Sequence, residues 1–348
     1  LSRISDISCL ASFIDLLLIS VGIFFVFIKK YNNLNMKNIY KNSLENLNKA
    51  KKVLEKNNII GVPTETVYGL AGNAYSSRSV KKIYKLKKRP KKNPLIIHYY
   101  NITKLKEDAY INKEFIKLYK RFSPGPLTYI LRKKEKSKIS NIANAKLKTI
   151  AVRFPKNIII RKLLKKIKFP LAIPSANIST GISPISSNDV VDEFKNKIKF
   201  ILDGGKTRIG LESTVVNLFG KVQLLRPGAI SKNEIERVLK RKILILKKSK
   251  KLLSPGLLKK HYSPGIPMKL NCKESDYKAA FIVFGKKYKK GKNVFNLSKK
   301  GNIEEAGRNL YKTLRKIKNL KYKRINVAKI PNNKIGVAIN DRLKKAAY

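Results

Sequence analysis

The sequence predicts an α/β protein: a mixed, twisted sheet covered by helices, followed by a second, smaller α/β domain of parallel type. Three observations carry this reading. Strand-length apolar runs alternate with helix-period segments from Lys37 to Leu246, the strands expected at 213–218 and 222–225 are joined by Phe219-Gly220-Lys221 as a hairpin, and a basic, turn-rich stretch separates them from a further alternation. At 348 residues the chain has room for two domains, each with its own core.

In chain order, 10–28 is almost wholly apolar, broken by Asp15, two serines and Gly22 and followed by Lys29 and Lys30. It is long enough to span a bilayer, and the trailing lysines would then keep the rest of the chain on the cytoplasmic side. A secretory signal fits less well, because the basic residues follow the apolar run. The reading we favour sets 1–35 outside the working protein as a hydrophobic leader, since the chain begins with Leu1 and Met36 stands just before the first amphipathic helix. The expected location is cytoplasmic, with a cytoplasm-facing membrane anchor through 10–28 as the alternative.

The first domain is expected over 37–246. Leu44, Leu47, Ala50 and Leu54 recur at helical spacing. Ile59, Ile60 and Val62 suit a buried strand that Pro63 ends, with Gly69 and Gly72 letting the backbone turn back tightly. Thr64, Glu65, Thr66 and Tyr68 then gather at the strand's carboxyl end, where open α/β sheets bind ligands. Helices are expected at 79–88, 115–122, 158–167, 190–194 and 232–240, and further strands at 94–98, 127–132, 149–154, 171–173, 200–202 and 243–246. The basic run 247–251 opens a linker over 247–265, where Ser254-Pro255-Gly256 and Ser263-Pro264-Gly265 bracket His261 and Tyr262. In 266–348, strands at 281–284 and 325–328 with helices at 303–317 and 339–346 form the smaller domain.

Lys and Arg number 79 against 21 acidic residues, a net charge of +58. Such a field attracts phosphate-rich partners, but the lysines are spread evenly through the chain, which reads as compositional drift more than as a dedicated RNA surface. Two cysteines, Cys9 and Cys272, are too few for a zinc ribbon and too far apart for a redox motif.

Further polar clusters sit at element ends. Lys87-Lys88-Arg89-Pro90-Lys91-Lys92-Asn93-Pro94 is a cationic loop suited to phosphate, or else a solvated basic turn. Pro174-Ser175-Ala176-Asn177 and Gly181-Ile182-Ser183-Pro184 present hydroxyls and a carboxamide that can bind phosphate or cap a turn. Asp203-Gly204-Gly205, Glu212-Ser213-Thr214 and Arg226-Pro227-Gly228 follow. Arg153, flanked by Val152 and Phe154 inside a strand, needs a partner such as a carboxylate ligand, or faces solvent from an edge.

In one order the chain carries Pro-Thr-Glu-Thr-Val-Tyr-Gly-Leu, Lys-x-Arg-Pro-x-x-Asn-Pro-Leu, Ser-Pro-Gly-Pro-Leu-Thr, Val-Arg-Phe-Pro, Pro-Ser-Ala-Asn, Asp-Gly-Gly, Glu-Ser-Thr-Val-Val and Leu-Arg-Pro-Gly. That series closely resembles the YrdC-like threonylcarbamoyl-AMP synthases. His261-Tyr262-Ser263-Pro264 and the ending Gly336-Val337-Ala338-Ile339-Asn340-Asp341-Arg342-Leu343 resemble the longer form of the family, with a linker and a small Rossmann-like C-terminal domain. The resemblance covers about Leu44 to Ala347 and nothing before Met36.

The resemblance implies that ATP, L-threonine and bicarbonate give L-threonylcarbamoyl-AMP and pyrophosphate, for modification of adenosine 37 in tRNAs reading codons that begin with A. It implies a downstream TsaD-type tRNA threonylcarbamoyl transferase, a tRNA contact, and Mg²⁺ carried with ATP without a dedicated protein site. Position by position, Thr64, His98, Arg153 and Ser213 would bind L-threonine, with Thr66 and Tyr68 shaping that wall. Lys87, Arg89, Lys91, Asn93, Thr149, Ser175, Asn177, Ser183, Arg226 and Tyr262 would bind ATP, with Lys87, Arg89, Ser175 and Asn177 as the catalytic set. Tyr262, with His261 beside it, would fold over the pocket. Two alternatives stand beside this reading: a basic double-stranded RNA-binding or ribosome-assembly module of the same fold, and a carbamoyl transferase of metal-centre maturation, which two cysteines disfavour.

Overall fold

The structure is a computed structural model that describes residues 38–246 and 260–347. The architecture is that of the compact unit 40–348. The expected leader at 1–35 and the 247–259 part of the expected linker lie outside the described residues. Among the described residues no helix is long and apolar enough to cross a membrane.

After a short strand β1 (Ile39–Tyr40), the large sheet is built from β2 (Ile60–Val62), β3 (Gly69–Asn73), β4 (Ile96–His98), β5 (Leu127–Arg132), β6 (Thr149–Arg153), β7 (Leu171–Ala172), β8 (Ile201–Leu202), β9 (Thr214–Asn217), β10 (Gln223–Arg226) and β11 (Leu244–Ile245). From β8 the order is β8-β2-β3-β7-β4-β6-β5-β9-β10-β11. Pairings are mixed: β4 and β6 run parallel, β5 and β6 antiparallel, and β9 and β10 form the expected hairpin. Parallel neighbours need crossover helices, and these supply the cover on both faces.

Polar residues start the helices where free N–H groups need acceptors. Ser43, Ser76, Asn101, Asn112 and Asn157 cap α1 (Leu44–Glu55), α2 (Ser77–Lys87), α3 (Ile102–Asp108), α4 (Lys113–Phe122) and α5 (Ile158–Lys166). Ser186 with Asp189 and Ser231 with Glu234 form capping boxes on α6 (Ser187–Phe194) and α7 (Lys232–Leu239). One face of the sheet buries Ile97, Tyr129 and Val152 under α2, α3, α4 and α7. Toward the β8 side, α1 and α5 bury Ile60, Val62 and Leu202. The alternate residues Ile96, Ile130, Ala151 and Val215 form a small separate cluster on the other face, and Ile96 reaches the site described below.

The smaller domain has a four-stranded parallel sheet, order β12-β15-β13-β14, from β12 (Met268–Leu270), β13 (Ala280–Val283), β14 (Val294–Asn296) and β15 (Ile325–Val327), with α8 (Ile303–Asn319) and α9 (Gly336–Ala346). Its core also takes in Val67, Ile182, Ile185, Leu211 and Tyr262, so the two sheets share a packed boundary.

Several expectations are corrected. Gly69 and Gly72 do not turn the chain; they lie in β3, antiparallel to β2. Glycine is needed there for close approach: a Cβ on Gly69 would stand 2.2 Å from Ile173 Cγ2, and one on Gly72 2.5 Å from Ser79 Oγ. The reversal is made by 63–68, stitched by Thr64. Helix α3 and strands β12 and β14 were not expected, being short and without a clear apolar period. Helix α9 begins at Gly336, three residues before its first expected position.

Candidate active site

At the carboxyl ends of β4 and β6 and the amino end of the antiparallel β5, the register aligns His98 of β4, Arg153 of β6 and Thr128 of β5 in one row. Arg153 is 4% exposed, so solvent does not hold its charge. Its Nη2 donates to Glu65 Oε1 at 2.7 Å and its Nε to the Gly125 carbonyl at 3.4 Å. The other Glu65 oxygen accepts from the Lys156 and Asn157 N–H groups ahead of α5, where the helix dipole favours an anion. Burial alone would raise the Glu65 carboxyl; Arg153 more than offsets it and leaves the pKa below the usual value. The sequence reading gave Glu65 no role, yet it holds the arginine, and the signal was available: a carboxylate in a buried loop needs a cation.

Thr64 is buried behind this pair. Its hydroxyl donates to the Val67 carbonyl at 2.6 Å and accepts from the Thr66 and Val67 N–H groups, so the 2.8 Å contact with Thr66 Oγ1 makes Thr66 the donor there. Thr66, and not Thr64, faces the cavity. Tyr68 points elsewhere: its hydroxyl donates to the Gly205 carbonyl and accepts from the Gly204 N–H, pinning the Asp-Gly-Gly loop. His98 Nδ1 donates to the Ile96 carbonyl at 3.2 Å, and Nε2 is buried without a partner. Burial, with Arg153 nearby, holds this imidazole neutral.

On the opposite wall, Arg226 Nε donates to the Ser213 carbonyl at 3.0 Å and Nη2 to Ser213 Oγ at 3.1 Å, while Ser213 Oγ meets Thr128 Oγ1 at 2.7 Å. Arg89 spends Nε and Nη2 on the Asn93 and Pro94 carbonyls and Asn93 Oδ1. Burial lowers its pKa to about 10, still charged at neutral pH. Among the described residues no carboxylate pairs with Arg89 or Arg226, which are 8% and 3% exposed.

Lys87 is 1% exposed, and its amine donates to the carbonyls of Ser175, at 2.6 Å, and Asn177. Burial, reinforced by Arg89, pushes its pKa well down. Asn177 Nδ2 ties the Ile178 and Gly181 carbonyls. Lys87 and Asn177 therefore brace the Ser175 loop from behind. Ser183 is likewise turned inward, donating to Glu212 Oε1 at 2.5 Å.

Glu212 lines the cavity but is saturated: Ser183, Tyr311 and Arg342 Nε all donate to it. Burial would raise its pKa, but Arg342 and Arg226 bring it to about 2. Arg342 comes from α9, 1% exposed, and its guanidinium carbon lies 5.0 Å from the Tyr262 ring centroid. Neither Tyr311 nor Arg342 stood out in the sequence as a site residue. His261 and Tyr262 close the remaining side, with Tyr262 at φ +63° and its hydroxyl buried without a partner.

The enclosed space is about 40 Å³, lined by Thr66, Arg89, Arg153, Ser175, Ser213, Glu212, Arg226, His261 and Tyr262 with apolar neighbours. Of the residues singled out from sequence, Thr66, Arg89, Arg153, Ser175, Ser213, Arg226, His261 and Tyr262 meet there. Thr64, Lys87, Asn93, His98, Asn177 and Ser183 are buried outside the lining, Lys91 is exposed on its loop, and Thr149 lies at the far end of β6 from Arg153. Among the described residues no group of His, Cys, Asp and Glu could hold a metal ion.

Residues 52–228 match a family model, Sua5–YciO–YrdC, described as "Telomere recombination", and 230–348 match "Threonylcarbamoyl-AMP synthase, C-terminal domain". The chain is 36% identical over 319 residues to the threonylcarbamoyl-AMP synthase of Pyrococcus abyssi, covering 86% of this chain and 93% of that one. It is 35% identical over 322 residues to the Bacillus subtilis protein of the same name, covering 86% and 92%. Its fold is similar to that of Pyrococcus abyssi Sua5 complexed with L-threonine, with TM-score 0.82, 34% identity, and coverage of 89% and 97%.

Proposed function

We propose a function from the premise that this chain belongs to the Sua5–YciO–YrdC family and carries its threonylcarbamoyl-AMP synthase C-terminal domain. It is a nucleotidyltransferase that condenses L-threonine, bicarbonate and ATP to L-threonylcarbamoyl-AMP and pyrophosphate. One observation ties this activity to the cavity: Arg89 and Arg226 are buried cations facing one space without a carboxylate partner. Uncompensated buried charge is costly, and a phosphate-bearing ligand supplies the missing anion.

The chemistry asks little covalent work of the protein. The threonine amine adds to carbon dioxide from bicarbonate, the carbamate oxygen attacks the α-phosphorus, and pyrophosphate leaves. Holding three anions together and neutralising the charge that develops are the protein's tasks. Arg153 is assigned to the threonine carboxylate, with Ser213 and the Thr66 hydroxyl oxygen beside it. Arg89, Arg226, Ser175 and Tyr262 are assigned to the nucleotide. Lys87, Asn93 and Asn177 act by fixing Ser175 and Arg89, and Thr64 and Ser183 by fixing Thr66 and Glu212. His98 stands behind Arg153 as a neutral neighbour.

Magnesium would arrive on the ATP phosphates. The two site carboxylates, Glu65 and Glu212, are taken up by protein donors, so these residues do not fit a metal and no step runs through one. A space of about 40 Å³ holds water-sized occupants, whereas ligand sites run to about 300–1,000 Å³. We assign the widening that substrates need to the wall carrying His261 and Tyr262. The product is an activated carbamoyl phosphate anhydride, and we assign its use to a TsaD-type transferase acting on tRNA adenosine in the cytoplasm.

The test is pyrophosphate release from ATP by the purified protein, with threonine and bicarbonate each left out in turn. Release that requires both supports the reading; ATP left intact in the complete mixture overturns it.

A further inference from the structure

Away from the active site, a cleft of about 550 Å³ lies between the two domains. Its charged lining is Arg208 and Arg237 from the large-sheet side, Arg308 and Lys334 from the small-sheet side, and the carboxylates Glu234 and Glu304. Glu234 is already committed to the Ser231 hydroxyl and N–H as the α7 capping box. Four cations therefore face two carboxylates, one of which gives a single oxygen to the Ser231 cap, and the cleft is left net positive.

In so basic a chain, unpaired lysines mean little, but arginine is the scarce cation, 15 of 79 basic residues. Ten of the 14 arginines among the described residues have a hydrogen bond, an ion pair or an aromatic ring as partner. Those without one are Arg78, Arg208, Arg237 and Arg308, and three of these four line this cleft. Guanidinium forks match phosphate oxygens bidentately, which scattered lysines do not.

The cleft also connects to the site. Ile209 and Gly210 donate to the carbonyls of Glu65 and Thr66, and the same segment runs on to Glu212. Arg226 leads through Pro227 and Gly228 to Ala229 and Ser231 at the cleft wall. At Gly210 a Cβ would stand 2.7 Å from Arg308 Cα, so the two domains touch backbone to backbone next to the lining residues Ile209 and Arg308.

We propose that this interdomain cleft is a second anion site, taking a ligand with adjacent phosphate groups: free pyrophosphate or the polyphosphate tail of a nucleotide. It bridges the two domains, with Arg208 and Arg237 on one side of the ligand and Arg308 and Lys334 on the other.

The test is equilibrium binding of inorganic pyrophosphate to the full chain and its variants at fixed ionic strength, with a non-hydrolysable ATP analogue in a parallel arm. The expected result is two equivalents of pyrophosphate for the unaltered protein, one for Arg208→Gln/Arg308→Gln and one for Arg226→Ala. Loss of the cleft equivalent from the pyrophosphate arm alone assigns the free anion; loss from both arms assigns the nucleotide tail. A single equivalent abolished by Arg208→Gln/Arg308→Gln and kept in Arg226→Ala upholds the cleft while counting against the active-site reading. A single equivalent abolished by Arg226→Ala overturns the cleft. So does unchanged pyrophosphate stoichiometry in Arg208→Gln/Arg308→Gln; loss of RNA binding by the same variant would then make the cleft a nucleic-acid surface.

Discussion

Arg342 Nε lies 2.9 Å from Glu212 Oε2, joining the last helix of the small domain to the wall of the cavity, with both side chains buried. The arginine also donates to the Pro227 carbonyl and to Asp341. Removing one member of a buried pair strands the other's charge, at a cost of about 3–5 kcal/mol. Arg342→Met should therefore lose about that much stability in urea unfolding. Adding Glu212→Gln should recover part of it, since no bare carboxylate is then buried. A loss below about 1 kcal/mol for the single variant would mean that water reaches Glu212 in solution.

Arg153 and Lys87 separate the two substrates. Arg153→Ala should raise KM for threonine more than for ATP, because it lines the cavity with Thr66 and Ser213, the residues assigned with it to threonine. Lys87→Ala should act in reverse, since its amine holds the Ser175 and Asn177 carbonyls of the loop assigned to ATP. Steady-state kinetics with each substrate varied in turn decides; equal shifts in both constants would contradict the assignment.

Strands and helices of the large domain were legible because apolar period and cap residues agree, as at α1, where Ser43 precedes Leu47, Ala50 and Leu54. The row of site loops was legible for the same reason: polar residues end buried strands. What sequence could not give was partnership across distance. Glu65 and Arg153 are 88 residues apart, and Glu212 and Arg342 are 130 apart. Nor could it tell a lining residue from a bracing one, since Thr64 and Thr66 are both buried hydroxyls in one loop and differ only in which faces the cavity. Gly69 and Gly72 misled because a glycine needed for close packing and one needed for a turn look alike in sequence.

The chain has two histidines, and both are buried. Burial, aided by Arg89, Lys87 and Arg226 against the opposing pull of Glu212, takes His261 down to about 3; burial and Arg153 take His98 well below 6.5. A lowered folded-state pKa means that the unfolded chain takes up the proton first. Their contribution is complete above about pH 6.5 and is lost as pH falls, for His261 until about 3. Between about pH 6.5 and 5, before most carboxylates titrate, unfolding free energy should drop by up to about 1.4 kcal/mol per pH unit for each histidine. Urea titrations across that window should show the slope, and His261→Gln should remove about half of it. A slope unchanged by that substitution would show that His261 titrates alike in the folded and unfolded chain.

Tyr262 gives the sharpest separation of stability from function. Its ring is packed between His261 and Tyr311 with Arg342 against it, while its hydroxyl is buried and unpartnered. An unsatisfied buried hydroxyl contributes nothing to the folded state and costs its desolvation. Tyr262→Phe should therefore be at least as stable as the parent in urea unfolding, whereas Tyr262→Ala should lose about 3–5 kcal/mol of packing. If the hydroxyl is kept for the nucleotide, it gains a charge-assisted hydrogen bond to phosphate only when ATP is bound, worth about 1.5–3 kcal/mol, and Tyr262→Phe should raise KM for ATP by about tenfold or more. An unchanged KM for ATP with raised stability would leave the hydroxyl no part in nucleotide binding and reduce Tyr262 to a packing residue of the cavity wall.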